Sequence, residues 1–381
     1  MIWLSAAHLV NDSYAGFLNP IMPFIAVKLG ITMAIATVIM SIAQVCASLF
    51  QPIFGFFADN MLKRVFIFWG LILGSMFIPF GANAPNAIIL TICVVLGNLG
   101  GSLFHPQAFG FLSKFSNGDF AKTMGVFISF GMIGFSIGPM ASSLIWQHFG
   151  ADKIPYLAII GLVLALSMFQ FVPKLSASGA TVEQKDFAAS FKTILSNKFM
   201  LILTALAMMK AFITNCCSIL LPFLWKNVGH SPTYIGTALF LFLLMASIGS
   251  LLSSKIEKLI GAKKVFYISM IATFPIMAMF LATYKTHPYL SIAIYVTMGF
   301  ITMLAQPVIL VMAQRILPEF KSIVSGIING FAWGMVAIFL TIVGFSAQQF
   351  GIAKVLLIVS FLPAIASFLI KYLPDNLETA K

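Results

Sequence analysis

The segment KLSASGATVEQKDFAASFKTILSNK, Lys174 to Lys198, is a long polar interruption in a chain that is otherwise strongly apolar. Small, hydroxylated and charged side chains in such a run cannot bury enough surface to build a core, so it reads as a linker between two units. Within it Phe187, Phe191 and Ile194 recur at helical spacing, which predicts a short surface helix. On either side, apolar runs of about 20 residues follow one another, the length that crosses a bilayer as a helix. Six precede the linker, near 2–27, 33–57, 65–82, 86–113, 121–145 and 154–173. Six follow it, near 199–224, 233–254, 264–283, 288–313, 322–345 and 353–373. The reading is an all-α membrane protein with twelve transmembrane helices in two pseudo-symmetric six-helix bundles. The N-terminal bundle is expected over 1–173, a cytoplasmic linker over 174–198 and the C-terminal bundle over 199–381.

Composition agrees. Of 381 residues, 60% are hydrophobic and 8% are charged, with a mean hydropathy of +1.04. A soluble domain carries about 25% charged residues, so a water-soluble fold is excluded. The formal charge of +12 does not point to nucleic acid, because basic residues in cytoplasmic connections orient membrane helices. With both termini inside, the outer connections hold Lys28, Lys153, Lys226, Lys285 and Lys354, whereas the rest of the 22 basic residues, Lys210 apart, fall inside. Cys46, Cys93, Cys216 and Cys217 lie in apolar runs and read as small packing residues. The first apolar stretch has no basic leader and is expected to remain as the first span.

The halves echo each other. Span two leads into GFFADNMLKR, Gly55 to Arg64, and span eight into EKLIGAKK, Glu257 to Lys264; Gly97 and Pro106 of span four are matched by Gly299 and Pro307 of span ten. Repeated six-helix units with binding groups near midplane are a recurrent plan for transporters. In the GFFADNMLKR turn, Asp59 sits among Lys63, Arg64 and helix ends, where charge-assisted hydrogen bonds can lock one conformation. Gly55, Asp59 and Arg64 are therefore expected to act in gating. Span five, GVFISFGMIGFSIGPMASS, places Gly125, Gly134, Gly138 and Pro139 where helices approach closely and bend. Gly326, Gly330 and Gly334 form the corresponding pattern in span eleven.

Ionisable groups inside a span cost several kcal/mol unless they face protein or water, so each is a candidate for function. His8, Asn11 and Asp12 share one face of span one, being three and four residues apart. His8 and Asp12 are expected to couple transport to protons, since histidine titrates near physiological pH. His105 precedes the helix-bending Pro106, and Lys210 lies in the middle of span seven. Asn11, His105, Gln107, Lys210, Asn215, Gln306, Asn329 and Trp333 are expected to form the substrate wall. The spacing shows no phosphate loop, zinc motif or nucleophile elbow. The reading therefore includes neither cofactor nor metal, and it takes the chain not to be an enzyme.

SAAHLVND (Ser5 to Asp12), GSLFHP (Gly101 to Pro106), Lys210, AQRILP, SGIINGFAWGM and LPDN resemble the fosmidomycin-resistance-like exporters of the major facilitator superfamily. The likeness runs from the first span to the last. It implies a major facilitator fold and a proton-driven efflux pump of the bacterial inner membrane, alternating between inward- and outward-open states. Its partners would be a small-molecule substrate, protons and the lipid bilayer, with no nucleic acid, and the chain would act as a monomer. The family pattern follows FHP with a Glu and, three residues later, an Arg; here those positions are Gln107 and Gly110, and Arg315 stands where the family has an acid. The expected function is antiport of an anionic or zwitterionic drug or metabolite against protons. The alternatives are uptake or facilitated release of an organic anion or metal-chelating, siderophore-like metabolite, and an intramembrane His–Asp enzyme.

Overall fold

The computed structural model describes residues 1–51, 53–54, 57, 64–114, 120–172, 192–194 and 196–374. Most of the linker and the Gly55–Lys63 turn, with Gly55 and Asp59, lie outside the described residues, as do Phe187 and Phe191. All described regular structure is helical. We label the N-terminal helices α1 (Ile2–Gly16), α2 (Met22–Leu29), α3 (Met33–Ser48), α4 (Val65–Gly81), α5 (Ala87–Lys114), α6 (Phe120–Phe149) and α7 (Ala158–Phe171). The C-terminal helices are α8 (Lys198–Asn227), α9 (Pro232–Ile260), α10 (Ala262–Ile271), α11 (Thr273–Thr283), α12 (Pro288–Leu304), α13 (Gln306–Ile316), α14 (Lys321–Ser325), α15 (Ala332–Phe350) and α16 (Ile352–Ala366).

Nine described stretches are long and apolar enough to cross a membrane as helices. Two shorter apolar helices, α3 and α4, and the broken first span of α1 and α2 complete the twelve expected crossings. Breaks occur where sequence and polarity allow them. Pro23 lies in the first turn of α2, and Pro307 in that of α13, where a missing N–H costs nothing. Span eleven contains a π-helical turn, Gly326–Phe331. Thr32, Asn197 and Ser231 cap α3, α8 and α9 by accepting backbone N–H groups that the helix itself leaves unpaired.

Within the N-terminal half, α1 lies against α6 at backbone distance. A Cβ on Gly134 would come within 2.0 Å of the Leu9 carbonyl oxygen, and one on Gly138 within 2.0 Å of that of Ser13. The C-terminal half repeats the device with α9 and α12, where Gly249 faces the Phe300 carbonyl and Gly299 that of Phe242. Two seams join the halves. Gly236 of α9 packs on Ser143 and Pro139 of α6, and Gly334 and Gly344 of α15 pack on Leu49 and Thr37 of span two. Of the span-eleven glycines, Gly330 and Gly334 thus face span two, whereas a Cβ on Gly326 would meet nothing within 4 Å.

The apolar core is divided unevenly. One continuous cluster crosses between the halves, containing Phe17, Ile21 and Ile25 from one and Trp225, Phe242 and Leu340 from the other. It lies toward the end that carries Lys28, Lys153 and Lys226. Toward the opposite end each half has its own cluster, Leu4, Phe104 and Phe127 in one and Met200, Phe266 and Ile309 in the other. Ile194, the described member of the linker periodicity, is buried in the latter. At the bridged end, Gln147 Oε1 accepts from the Thr233 N–H at 3.0 Å and Gln348 Oε1 from the Ala34 N–H at 2.9 Å, each across a seam.

Candidate functional site

Between the halves lies a cavity of about 370 Å³. Its lining includes Asn11, Asp12, Asn19, Gln44, Asn98 and His105 from the N-terminal half, and Asn215, Asn329 and Trp333 from the C-terminal half. Side-chain amides dominate this polar wall, with Asp12 as its carboxylate.

Asp12 sits between two histidines. Its Oδ2 is 3.1 Å from His8 Nε2 and its Oδ1 is 3.0 Å from His105 Nε2. Asn11 Nδ2 also donates to Oδ1, at 3.0 Å. One helical turn of α1 supplies His8 and Asp12, and His105 arrives from α5, 93 residues further on. Each imidazole is held from behind by its other nitrogen. His8 Nδ1 is 2.8 Å from the Phe127 carbonyl oxygen and His105 Nδ1 is 2.8 Å from that of Gly101. A carbonyl oxygen can only accept, so both Nδ1 atoms carry hydrogen and both Nε2 atoms are turned on Asp12. His8 is buried and stacks on the Phe127 ring at 4.0 Å, whereas Asp12 and His105 reach the cavity. His8, Asp12 and His105 present donor atoms that all lie within 4.8 Å of one another, a composition able to hold a metal ion. Sequence spacing did not predict this group, because its third member comes from another helix.

Gly131 of α6 closes the far side. A Cβ there would sit 2.3 Å from His8 Cε1 and 2.8 Å from Asp12 Oδ2, so any other residue would displace the cluster.

Lys210 is placed differently from the expectation of a wall residue. It is 1% exposed and does not line the cavity; its Nζ donates to Gln306 Oε1 at 3.3 Å. Gln306 Nε2 in turn donates to Asn329 Oδ1 at 2.8 Å, and Asn329 lines the cavity from the π-helical turn. Lys210 therefore reaches the wall through two amides. Gln107 also departs from the expected wall. Its Oε1 accepts the Ile67 N–H at 2.8 Å, in the first turn of α4, where backbone donors lack helical partners. Arg64 Nη1 donates to the Met168 carbonyl at 2.9 Å and to that of Val172, tying the start of α4 to the end of α7. Gly134, Gly138 and Pro139 act at the α1–α6 contact described above, and Pro139 also packs near Gly16.

Among the cavity and cluster residues missed from sequence are Gly131 and Phe127 against His8, and Asn19, Gln44 and Asn98 in the wall. The amides carried a signal, since each is a lone polar side chain in an apolar run. Gly131 stands three residues before Gly134, on the same glycine face.

A polar cavity walled by two halves of an all-helical membrane bundle defines a multi-pass membrane transporter. The chain belongs to the Major Facilitator Superfamily, whose family profile matches residues 4–341 and 202–380. It is 27% identical to the fosmidomycin resistance protein of Escherichia coli (strain K12) over 98% of this chain and 92% of that one. It is 22% identical to an uncharacterized MFS-type transporter, YfnC, of Bacillus subtilis (strain 168), over 96% and 90%. The nucleoside transporter NupG shares its fold with a TM-score of 0.78 at 14% identity, covering 100% of this chain and 99% of that one. A D-xylose–proton symporter does so with a TM-score of 0.74 at 12% identity, covering 100% and 98%. Membership places the chain among transporters of small molecules in lipid bilayers rather than among enzymes.

Proposed function

We propose that this transporter exports a small anionic or zwitterionic drug or metabolite from the bacterial cytoplasm in exchange for protons, by alternating access. It would reside in the inner membrane as a monomer with both termini cytoplasmic. The observation that carries the reading is the His8–Asp12–His105 cluster at the cavity wall. An ionisable cluster at membrane depth is costly even when paired at a cavity, which makes it a candidate for function, and two imidazoles flanking one carboxylate can hold or release a proton without leaving the site. Asn329, backed by Gln306 and Lys210, gives the opposite wall a donor network suited to an anionic group. The bridged apolar end, taken as outer from the sparse lysines there, supports an inward-facing resting arrangement.

The resistance named for the Escherichia coli relative makes fosmidomycin the first compound to test. In proteoliposomes with an imposed pH gradient, fosmidomycin should move against its gradient and a proton flux should accompany it. Transport of the tested compounds that is indifferent to the pH gradient would contradict proton coupling. The metal-ligating composition of the cluster also favours a second reading, release of a metal-chelating metabolite, which the same vesicles test with a chelator as cargo.

A further inference from the structure

We propose that His8 Nε2, His105 Nε2 and the Asp12 carboxylate form a three-donor site for a divalent transition-metal ion of the Zn²⁺ class, with an open coordination position facing the cavity. It shares the cavity of the function proposed above but stands on donor geometry, independently of transport.

Both imidazoles have committed their Nδ1–H to a backbone carbonyl, at Phe127 and at Gly101. In its neutral form each must then present a lone pair at Nε2, and both lone pairs point at the same carboxylate. This is the arrangement of metal-binding histidines, whose second nitrogen donates outward and fixes the ring. Nitrogen and carboxylate donors suit the borderline divalent ions. Bonds of about 2.0–2.1 Å in tetrahedral geometry place donors about 3.3 Å apart. The His8–Asp12 and His105–Asp12 separations are 3.1 and 3.0 Å, and the whole set spans no more than 4.8 Å. An ion therefore needs only small side-chain rotations to enter.

The surroundings fit. Asn11 steadies Oδ1 through its amide, and Phe127 and Gly131 wall the side away from the cavity. Lys210, in the middle of α8 in the other half, is hydrogen-bonded to Gln306. Three protein donors leave a fourth position, which water or an oxygen of a chelating cargo would fill from the cavity side.

The test is Co²⁺ titration of the full-length, metal-stripped protein in detergent, with no vesicle and no gradient. Wild type should take up one equivalent, develop the intense visible bands of tetrahedral Co²⁺, and lose them on addition of equimolar Zn²⁺. His105→Gln and Asp12→Asn should each weaken binding by about tenfold or more while eluting as wild type on size exclusion. If Asp12→Asn fails to fold, His105→Gln still decides, since His105 is partly exposed to the cavity. The variant H148Q/H230Q/H287Q removes the loop histidines and should keep the site. Absence of the bands in wild type, unchanged binding in His105→Gln, or loss of binding in the loop-histidine variant would overturn the proposal. Metal binding without proton-coupled transport would leave this site standing and remove only the coupling; transport without metal binding would do the reverse.

Discussion

Asp12 is the residue on which both walls of the cluster depend, because His8 and His105 each present Nε2 to a different one of its oxygens. Asp12→Asn keeps the shape and removes the charge, so it should leave the folded protein intact and abolish pH-gradient-driven transport. Gln107→Leu should do the opposite. Losing its bond to the Ile67 N–H leaves a helix-start donor unpaired and should cost about 1 kcal/mol of stability, read as a lower Tm, with the KM for substrate unchanged. Lys210→Met replaces a buried amine by an apolar chain of similar length. It should hold or raise the Tm, because a buried polar group is costly to desolvate, while weakening binding of an anionic cargo; a fall in Tm with unaltered affinity would make Lys210 purely structural. His8 and Asp12 were legible as a pair because four residues on a helix are neighbours. The His105 contact was not, since nothing in a sequence announces which residue 93 positions away will close on the same carboxylate. The cost of Lys210 was legible, but its retreat behind Gln306 and Asn329 was not, because that depends on how spans seven, ten and eleven pack.

At the scale of elements, glycine placement sets where helices touch. Gly134 and Gly138 let α6 lie on the Leu9 and Ser13 carbonyls, which also positions the middle turns of α1 that carry His8 and Asp12. Gly134→Val should force α1 away, costing about 1–3 kcal/mol from overpacking and abolishing transport; a Gly131→Ala change nearby should disturb the cluster with less effect on the fold. Thermal stability and vesicle transport measured on both variants separate these outcomes. The glycine face of span five could be read in advance from its spacing. The π-helical turn at Gly326–Phe331 could not. A widened turn leaves no periodic mark in an apolar run, yet it places Asn329 in the cavity wall. Such turns recur at functional sites.

The whole molecule has two halves held by one apolar cluster near one end and separate clusters toward the other. The spans were legible because apolar runs of membrane length survive any packing. Which end the halves would share was not, since it follows from shapes of side chains such as Trp225 and Phe17 meeting across a seam. Cys216 and Cys217 are buried within that bridged cluster. In a C46S/C93S background they should resist a membrane-impermeant maleimide, and Gln147→Ala with Gln348→Ala, which removes both cross-seam hydrogen bonds, should make them label faster. Equal labelling of the parent and the double variant would mean that these contacts do not hold the end closed. The most direct test of the account joins the whole molecule to its cluster: substrate-dependent proton flux in proteoliposomes of wild type and Asp12→Asn. The account predicts flux in wild type and none in the variant at equal incorporation. Equal flux in both would contradict it.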